Sequence, residues 1–191
     1  MTKFTFQRKN KVASKVLGIG LSKTGTTSLC TALNLLGIPT IHLPPNLEII
    51  EHFDGAVDIT VAVAYRFLDR RYPGAKFILT VRELESWLRS SQSQQERAIV
   101  MNQGNVPKWI EAAVRQCYGQ WQFDSVLWRT TYERHLAEVK EYFRGRESDL
   151  LVLDICGGQG WQELHSFLNC EVPLIPFPHE HRTPLGEALR A

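Results

Sequence analysis

One stretch near the N-terminus, Lys15 to Gly37, constrains the fold more than any other part of the chain. It begins with an apolar run (Val16, Leu17, Ile19) typical of a buried strand, passes through a loop rich in Gly, Ser and Thr, and continues with leucines at helical spacing. A strand, a glycine loop and a helix in this order gather free backbone N–H groups and the positive end of the helix dipole around one point. The stretch therefore predicts an anion-binding loop, most often one for phosphate.

The type of loop can be narrowed by the position of its lysine. In the ATP-binding loop, Gly-x-x-x-x-Gly-Lys-Ser/Thr, the lysine follows the second glycine. Gly20 and Gly25 have that spacing here, but Thr26 stands at the lysine position, and Lys23 precedes the second glycine. The hydroxyls of Thr26 and Thr27 could contact phosphate oxygens at the start of the helix, while Lys23 would reach a different part of the ligand. An ordinary strand-to-helix turn is the alternative.

Composition and charge narrow the class of protein. The 191 residues are 43 % hydrophobic and 22 % charged, and we expect them to form one domain, with an N-terminal extension (1–14) and a Pro-rich tail (172–191). The net charge of +2 does not favour nucleic acid as a partner. No apolar run approaches the roughly 20 residues of a membrane span, and the extension lacks a signal-peptide core. These features predict a cytoplasmic protein.

The cysteines do not form a recognisable metal site. Cys30, Cys117, Cys156 and Cys170 include no C-x-x-C pair and have no histidine at zinc-ligand spacing. Each lies in an apolar or helical context. We therefore expect reduced thiols and no bound metal.

Strands and helices are predicted to alternate along the chain. After the first strand, apolar runs predict strands at 38–43, 76–81 and 150–155. Helical spacing predicts helices at 61–72, 83–100, 107–117, 125–144 and 161–168. The polar run 90–95 suggests that the second of these helices frays or breaks there. Such alternation implies parallel pairing through right-handed crossovers. We predict a three-layer α/β/α fold with a central parallel sheet, similar to the P-loop NTPases.

Ligands of such sheets bind at the carboxyl ends of the strands. That rule places the Lys23 loop, His42, Asp58, Arg82 and Asp154 along one edge.

Arg82 and Ser90 form a second candidate anion site. Arg82 ends the predicted strand 76–81, and Ser90 lies eight residues later on the next helix. An arginine fork and a serine hydroxyl in this arrangement can hold one phosphate. Alternatively, Arg82 pairs with carboxylates such as Glu83, and Ser90 is an ordinary surface residue.

Two of these motifs resemble the sulfotransferase family. Ser22-Lys-Thr-Gly-Thr-Thr27 is similar to its phosphosulfate-binding loop, and Arg82 with Ser90 is similar to the pair that holds the 3′-phosphate of 3′-phosphoadenosine 5′-phosphosulfate (PAPS). Weaker similarities in 150–154, 160–168 and 176–179 extend the resemblance to nearly the whole chain.

The resemblance implies transfer of a sulfuryl group from PAPS to a hydroxyl or amine, with adenosine 3′,5′-bisphosphate as product. It implies that Lys23 stabilises the charge on the oxygen that leaves sulfur. The donor-binding residues that it implies are Ser22, Lys23, Thr24, Gly25, Thr26, Thr27, Arg82 and Ser90.

The general base is less well defined, because the family's histidine position falls on Thr60. Asp58 is the first candidate to remove the acceptor proton and His42 the second. Either could instead be structural, Asp58 as a cap and His42 as a loop side chain. The family's C-terminal Arg-Lys-Gly segment is absent; residues of 179–182 (His179, His181, Arg182) could substitute or belong to a solvated tail.

Two other functions stay open. Residues 150–154 match the Walker B pattern, which would suit a Mg-ATP-dependent kinase or NTPase, although Thr26 replaces the lysine that such a site needs. A binding module that kept the nucleotide site without a base is the third possibility. The acceptor, a small molecule or a glycan, should contact residues within 44–70 and 90–125, which carry no recognisable motif.

Overall fold

A computed structural model describes residues 15–101, 103 and 105–180. Its strands are β1 (Val16–Gly18), β2 (Thr40–His42), β3 (Gly55–Val57), β4 (Lys76–Thr80) and β5 (Leu150–Leu153). They form one parallel sheet in the order β2-β3-β1-β4-β5. The N-terminal extension, and His181 and Arg182 of the tail, lie outside the described residues.

Seven α-helices connect or follow these strands in the described part of the chain. They are α1 (Thr26–Leu35), α2 (Ile59–Ala62), α3 (Tyr65–Arg71), α4 (Leu84–Met101), α5 (Lys108–Tyr118), α6 (Ser125–Tyr142) and α7 (Trp161–Leu168). Two 3-10 helices, Glu48–His52 and Glu147–Asp149, complete the described secondary structure.

Alternating side chains of the central strands bury both faces of the sheet. Leu17 and Phe77 pack on one side against residues of α3 and α6. Val16 and Ile78 pack on the other side against α1 and α7. Because successive residues of a strand point to opposite faces, strands buried on both sides are continuously apolar. The structure confirms the predicted three-layer α/β/α fold with a central parallel sheet.

A third apolar cluster lies where α4, α5 and α6 meet. Trp87, which is fully buried, packs with Tyr118, Trp128 and Tyr132. The rings of Tyr118 and Trp128 are stacked, with centroids 3.9 Å apart and an interplanar angle of 6°. Burial of each such side chain contributes about 1.5–3 kcal/mol. This aromatic cluster holds α4 beside the glycine-rich loop, because Trp87 Nε1 donates to the carbonyl oxygen of Ser22 at 2.9 Å.

The prediction that a helix frays or breaks at 90–95 is wrong, because α4 runs unbroken from Leu84 to Met101. The polar residues there include buried ones. The Gln95 side-chain amide donates to the Trp121 carbonyl and accepts from the Phe123 N–H. A polar side chain that satisfies backbone groups of a neighbouring segment stabilises the helix interface instead of weakening it.

Two further predictions differ from the structure. The helix expected at 61–72 is divided into α2 and α3, with Val63 and Ala64 between them. The strand expected at 150–155 is β5, which lies at an edge of the sheet and leaves Val152 37 % exposed instead of buried.

All four cysteines are free thiols. Among the residues described, no helix has the length and apolar character needed to cross a membrane.

Candidate active site

The glycine-rich loop joins β1 to α1 and passes close over the end of β4. A Cβ atom on Gly20 would lie 1.9 Å from Thr80 Oγ1, so only glycine allows this approach. Gly25 has a φ of 100° and precedes the first turn of α1, where no side chain caps the helix. The first N–H groups of a helix lack intrahelical partners. The loop therefore presents uncapped N–H donors at the start of α1.

Three successive carbonyl groups of the loop are held by side chains. Thr24 Oγ1 donates to the Leu21 carbonyl at 2.7 Å, and Trp87 donates to that of Ser22. Arg82 Nη1 donates to that of Lys23 at 3.2 Å. Lys23 itself has a φ of 73°, which non-glycine residues adopt infrequently. These contacts fix the loop conformation in advance of any ligand.

A cleft of about 480 Å³ opens at the carboxyl ends of the strands, in front of the loop. We call it the donor cleft, after the donor-binding residues expected from sequence. It combines the loop and the start of α1 with residues that follow β2, β3, β4 and β5. Its lining consists of Ser22, Lys23, Gly25, Thr26, Thr27, Ser28, His42, Asp58, Arg82, Ser90, Gln94, Arg97, Ile155, Cys156, His179 and Glu180.

Three cations face the donor cleft. Burial lowers the pKa of Lys23, and the nearby charges of Arg97 and Arg82 lower it further. Cationic groups repel one another in this way when no anion lies between them. The charges of Lys23, Arg82 and Arg97, together with the N-terminus of α1, make the cleft complementary to a ligand with several anionic groups.

Asp58 and His42 form a buried pair at the same cleft. Asp58 is 3 % exposed, and its carboxylate accepts hydrogen bonds from Ser22 Oγ, Thr26 Oγ1 and the Ile59 N–H. His42 Nε2 lies 2.9 Å from Asp58 Oδ2. Burial raises the pKa of Asp58, but the hydrogen bond and charge of His42, followed by the bonds from the two hydroxyls, bring it below its ordinary value. Asp58 is therefore a stable anion.

Replacing Asp58 by asparagine is expected to lower the free energy of unfolding at pH 7 by about 2–3 kcal/mol, because an amide cannot accept all these hydrogen bonds. Since the folded-state pKa of Asp58 lies below the ordinary value of 3.8, the stabilisation by the carboxylate is complete above pH 3.8 and is lost as the pH falls through the folded-state pKa. The difference between wild type and variant should therefore narrow in acid.

Urea unfolding at pH 7 and at pH 3 measures this difference. Asp124→Asn is the matched control, because exposed Asp124 caps α6 through the Leu127 N–H and asparagine caps equally well. A decrease in the free energy of unfolding for Asp58→Asn no larger than that for Asp124→Asn would contradict the stabilising role of the Asp58 carboxylate.

The structure brings most of the predicted site residues to one cleft. Thr24 is the exception: it is fully buried, with Oγ1 2.6 Å from Thr80 Oγ1, and does not line the cleft. Asp154 also stays outside the lining, where its Oδ1 accepts from the Gly157 N–H at 2.7 Å. Asp154 therefore stabilises a turn.

Arg82 contacts a serine of α4 other than Ser90. Its guanidinium contacts Ser86 Oγ, through Nε at 3.0 Å and Nη2 at 2.8 Å. Ser90 lies one turn farther along α4 and lines the cleft without a bond to Arg82 among those described. Glu83 accepts from the N–H groups of Glu85 and Ser86 at the start of α4, so it caps the helix and does not pair with Arg82.

Several lining residues were not predicted. Gln94 and Arg97 follow Ser90 at helical spacing, a signal that could have identified them. Cys156 had no such signal. His179 was considered from sequence as a substitute for the family's C-terminal segment. The neighbouring Glu180 contacts α1, because its N–H donates to Ser28 Oγ at 2.9 Å. The C-terminal segment thus closes one side of the donor cleft.

Comparison with known proteins gives two matches. Residues 15–48 and 46–184 match a family described as "Sulfotransferase domain". The chain is also similar to "Ava biosynthesis cluster protein M" of Aspergillus versicolor, with 25 % identity over 213 residues that cover 86 % of this chain and 80 % of that protein.

Proposed function

The chain belongs to the sulfotransferase domain family, and we propose that it is an enzyme that transfers a sulfuryl group from PAPS to a hydroxyl or amine of a small-molecule or glycan acceptor. One observation carries this proposal. Lys23, Arg82 and the uncapped start of α1 converge on one cleft.

The charges of the donor cleft fit the anionic groups of PAPS. Lys23, Thr27 and the first N–H groups of α1, among them that of Thr26, would hold the phosphosulfate, since the Thr26 hydroxyl donates to Asp58. Arg82 and Ser90, on the side of the cleft formed by β4 and α4, would hold the 3′-phosphate, with the exposed Arg97 beside them. Bidentate arginine contacts suit phosphate.

Bound PAPS supplies a sulfur that forms a bond to the acceptor oxygen as its bond to the 5′-phosphate oxygen breaks, the electron pair leaving with adenosine 3′,5′-bisphosphate. Lys23 and the N–H groups of the loop stabilise the negative charge that develops on the departing 5′-phosphate oxygen. The acceptor proton must pass to a base at the cleft.

We propose His42 as that base and Asp58 as the residue that positions it. The oxygens of Asp58 already accept bonds from several donors, and its pKa is lowered, so it is a weak proton acceptor. With Nε2–H bonded to Asp58 Oδ2, Nδ1 is the ring nitrogen that would take the acceptor proton. This reverses the order of the two candidates expected from sequence.

Calorimetry with adenosine 3′,5′-bisphosphate tests the proposal. We expect binding in the micromolar range without Mg²⁺, and about tenfold weaker binding for Arg97→Gln, since one charge-assisted contact is worth roughly 1.5 kcal/mol. Arg144→Gln is the control, because that exposed arginine pairs only with Glu141 among the ion pairs described. A strict requirement for Mg-ATP would contradict the proposal.

Neither alternative function gains support from the geometry. The kinase alternative depends on Asp154, which binds the Gly157 N–H and lies outside the cleft lining. The inactive-module alternative depends on the lack of a base, whereas His42 and Asp58 lie together at the cleft.

A further inference from the structure

A second large pocket, of about 380 Å³, opens beside the layer of helices that contains α3 and α6. Its walls come from the link between α2 and α3, from α3, from the C-terminal end of α5 and from the middle of α6. None of the described residues that line it also lines the donor cleft. Pockets that bind small molecules commonly have volumes of about 300–1,000 Å³. We call this space the arginine pocket, because Arg66, Arg70 and Arg134 line it.

The arginine pocket carries a net positive charge, because its three arginines accompany one acidic residue, Glu138, among the described residues of the lining. Arg66 and Arg134 both contact Glu138, at 3.6 Å and 3.9 Å. All three side chains are about half exposed, so these long ion pairs contribute little to stability. Arg70 forms neither a hydrogen bond nor an ion pair within the described part of the chain. The pocket therefore offers guanidinium donors to an anion.

Two polar side chains of α6 line the arginine pocket at greater depth. Thr131 is 3 % exposed, and its hydroxyl forms no hydrogen bond with any described residue. This oxygen is not one of the fully enclosed atoms without a partner, so its accessible surface lies in the pocket that Thr131 lines. His135 Nε2 donates to the Ile19 carbonyl at 2.8 Å, and burial lowers the pKa of the ring, which is therefore neutral at pH 7. A ligand atom bonded to Thr131 would satisfy a polar group that the protein leaves unpaired.

The link between α2 and α3 supplies an apolar wall. Val63 and Ala64 line the pocket there, and Phe67 follows on α3, where it is 50 % exposed. A large aromatic side chain left half exposed is stabilised when apolar surface covers it. Cys117, from α5, adds a neutral thiol, because burial raises its pKa to about 12. A ligand that suits this pocket therefore has an apolar body as well as a negative charge.

We propose that the arginine pocket is a second binding site of this protein, for an aromatic acid in its anionic form. The anionic group would contact Arg70 and Arg134. The rings would cover Phe67, and a polar atom of the ligand would bond to the Thr131 hydroxyl. Guanidinium groups hold acidic oxygens through paired N–H donors and also stack on aromatic rings, so both parts of such a ligand suit arginine. Binding here does not require the function proposed above, because the contacts lie outside the donor cleft.

Fluorescence titration with 8-anilinonaphthalene-1-sulfonate tests the site, because this aromatic anion emits strongly only when it is shielded from water. N-phenyl-1-naphthylamine has the same rings without the charge and is the control compound. We expect the sulfonate to bind about tenfold more tightly than the amine, the usual effect of one charge-assisted contact. Saturating adenosine 3′,5′-bisphosphate should leave the affinity for the sulfonate unchanged. Equal affinities for the two compounds, or displacement of the sulfonate by the nucleotide, would overturn the proposal.

Charge variants of opposite expected effect locate the bound sulfonate. Arg70→Gln removes a guanidinium without a described partner, so it should leave Tm unchanged and weaken binding about 3- to 10-fold. Arg144→Gln removes the same charge outside the pocket and should leave the affinity unchanged. Glu138→Gln removes the carboxylate that competes for Arg66 and Arg134, and should tighten binding about 2- to 5-fold. Equal affinities for Arg70→Gln and Arg144→Gln, or no gain in Glu138→Gln, would overturn the proposal.

A pair of hydroxyl deletions tests the position of the ligand against α6. Thr131→Val has Thr60→Val as its matched control, since Thr60 also has a buried hydroxyl without a partner and lines neither the arginine pocket nor the donor cleft. Neither change removes a described hydrogen bond, so neither should lower Tm. Thr131→Val alone should weaken binding of the sulfonate, by about 2- to 5-fold. Equal dissociation constants for the two variants would overturn the placement of the ligand against α6.

Discussion

Replacing Lys23 by alanine is expected to lower kcat by about 100- to 1,000-fold, the usual loss when one donor to a developing negative charge is removed. The same change should not lower the stability of the ligand-free protein. Burial and the charges of Arg97 and Arg82 lower the pKa of Lys23, so its charged form is disfavoured in the folded state. Alanine relieves that penalty.

The direction in which the free energy of unfolding changes with pH follows from the lowered pKa of Lys23. Because the folded-state pKa of Lys23 lies below the ordinary lysine value of 10.5, the unfolded chain binds more protons between the two values, and stability rises with pH there. A bound anion favours the ammonium, so binding of adenosine 3′,5′-bisphosphate in this range should take up protons. Calorimetry in buffers of different ionisation enthalpy measures the uptake.

The control for Lys23→Ala is Lys140→Ala, an exposed lysine of α6. Both variants are compared by Tm, by adenosine 3′,5′-bisphosphate affinity and by kcat with PAPS. A Lys23→Ala rate within about threefold of wild type would remove Lys23 from the catalytic role. An equal rate loss in Lys140→Ala would point to a global effect instead.

His42→Gln is expected to lower kcat by about 100- to 10,000-fold, the range in which a general base contributes. Adenosine 3′,5′-bisphosphate affinity should change little, because the cations of the donor cleft stay in place. A general base acts only in its unprotonated form, so the wild-type rate should fall in acid and the variant should lack this dependence. Exposed His52, on the 3-10 helix Glu48–His52, provides the control His52→Gln.

The pH–rate profile also separates the two members of the pair. If Asp58 itself took the acceptor proton, His42→Gln would retain a substantial rate and an acid-side dependence, whereas Asp58→Asn would lose both. If Asp58 positions His42, Asp58→Asn keeps an acid-side dependence at a reduced rate. Fixed-time assays of product formation at a series of pH values distinguish these outcomes.

Features encoded locally in the chain could be predicted from sequence. The continuous apolar run of β4 identified a strand buried on both faces, and the spacing of Gly20, Lys23 and Gly25 located the loop at the carboxyl edge of the sheet. Parallel pairing followed from the alternation of strands and helices. These properties depend on residues close together in sequence, so their patterns are visible there.

Features that depend on distant partners could not be predicted. The polar side chain of Gln95 continues α4 because backbone groups of residues 121 and 123 lie beside it. The guanidinium of Arg82 contacts Ser86 Oγ and the Lys23 carbonyl, and the second of these contacts joins residues 59 positions apart in the chain. The lowered pKa of Asp58 likewise results from His42, sixteen residues away in the chain.

The helix α4 borders both the donor cleft and a smaller, mainly apolar cavity that is also lined by residues of α5 and α6. Ser90 and Arg97 line the donor cleft. The residues at 91, 95 and 98 line the smaller cavity, one position later along the helix, and Gln94 lines both. Adjacent helical positions differ by about 100° around the axis. In evolutionary terms, substitutions at 91 and 98 can therefore alter the smaller cavity while Ser90 and Arg97 of the donor cleft are conserved, whereas a change at Gln94 would alter both spaces.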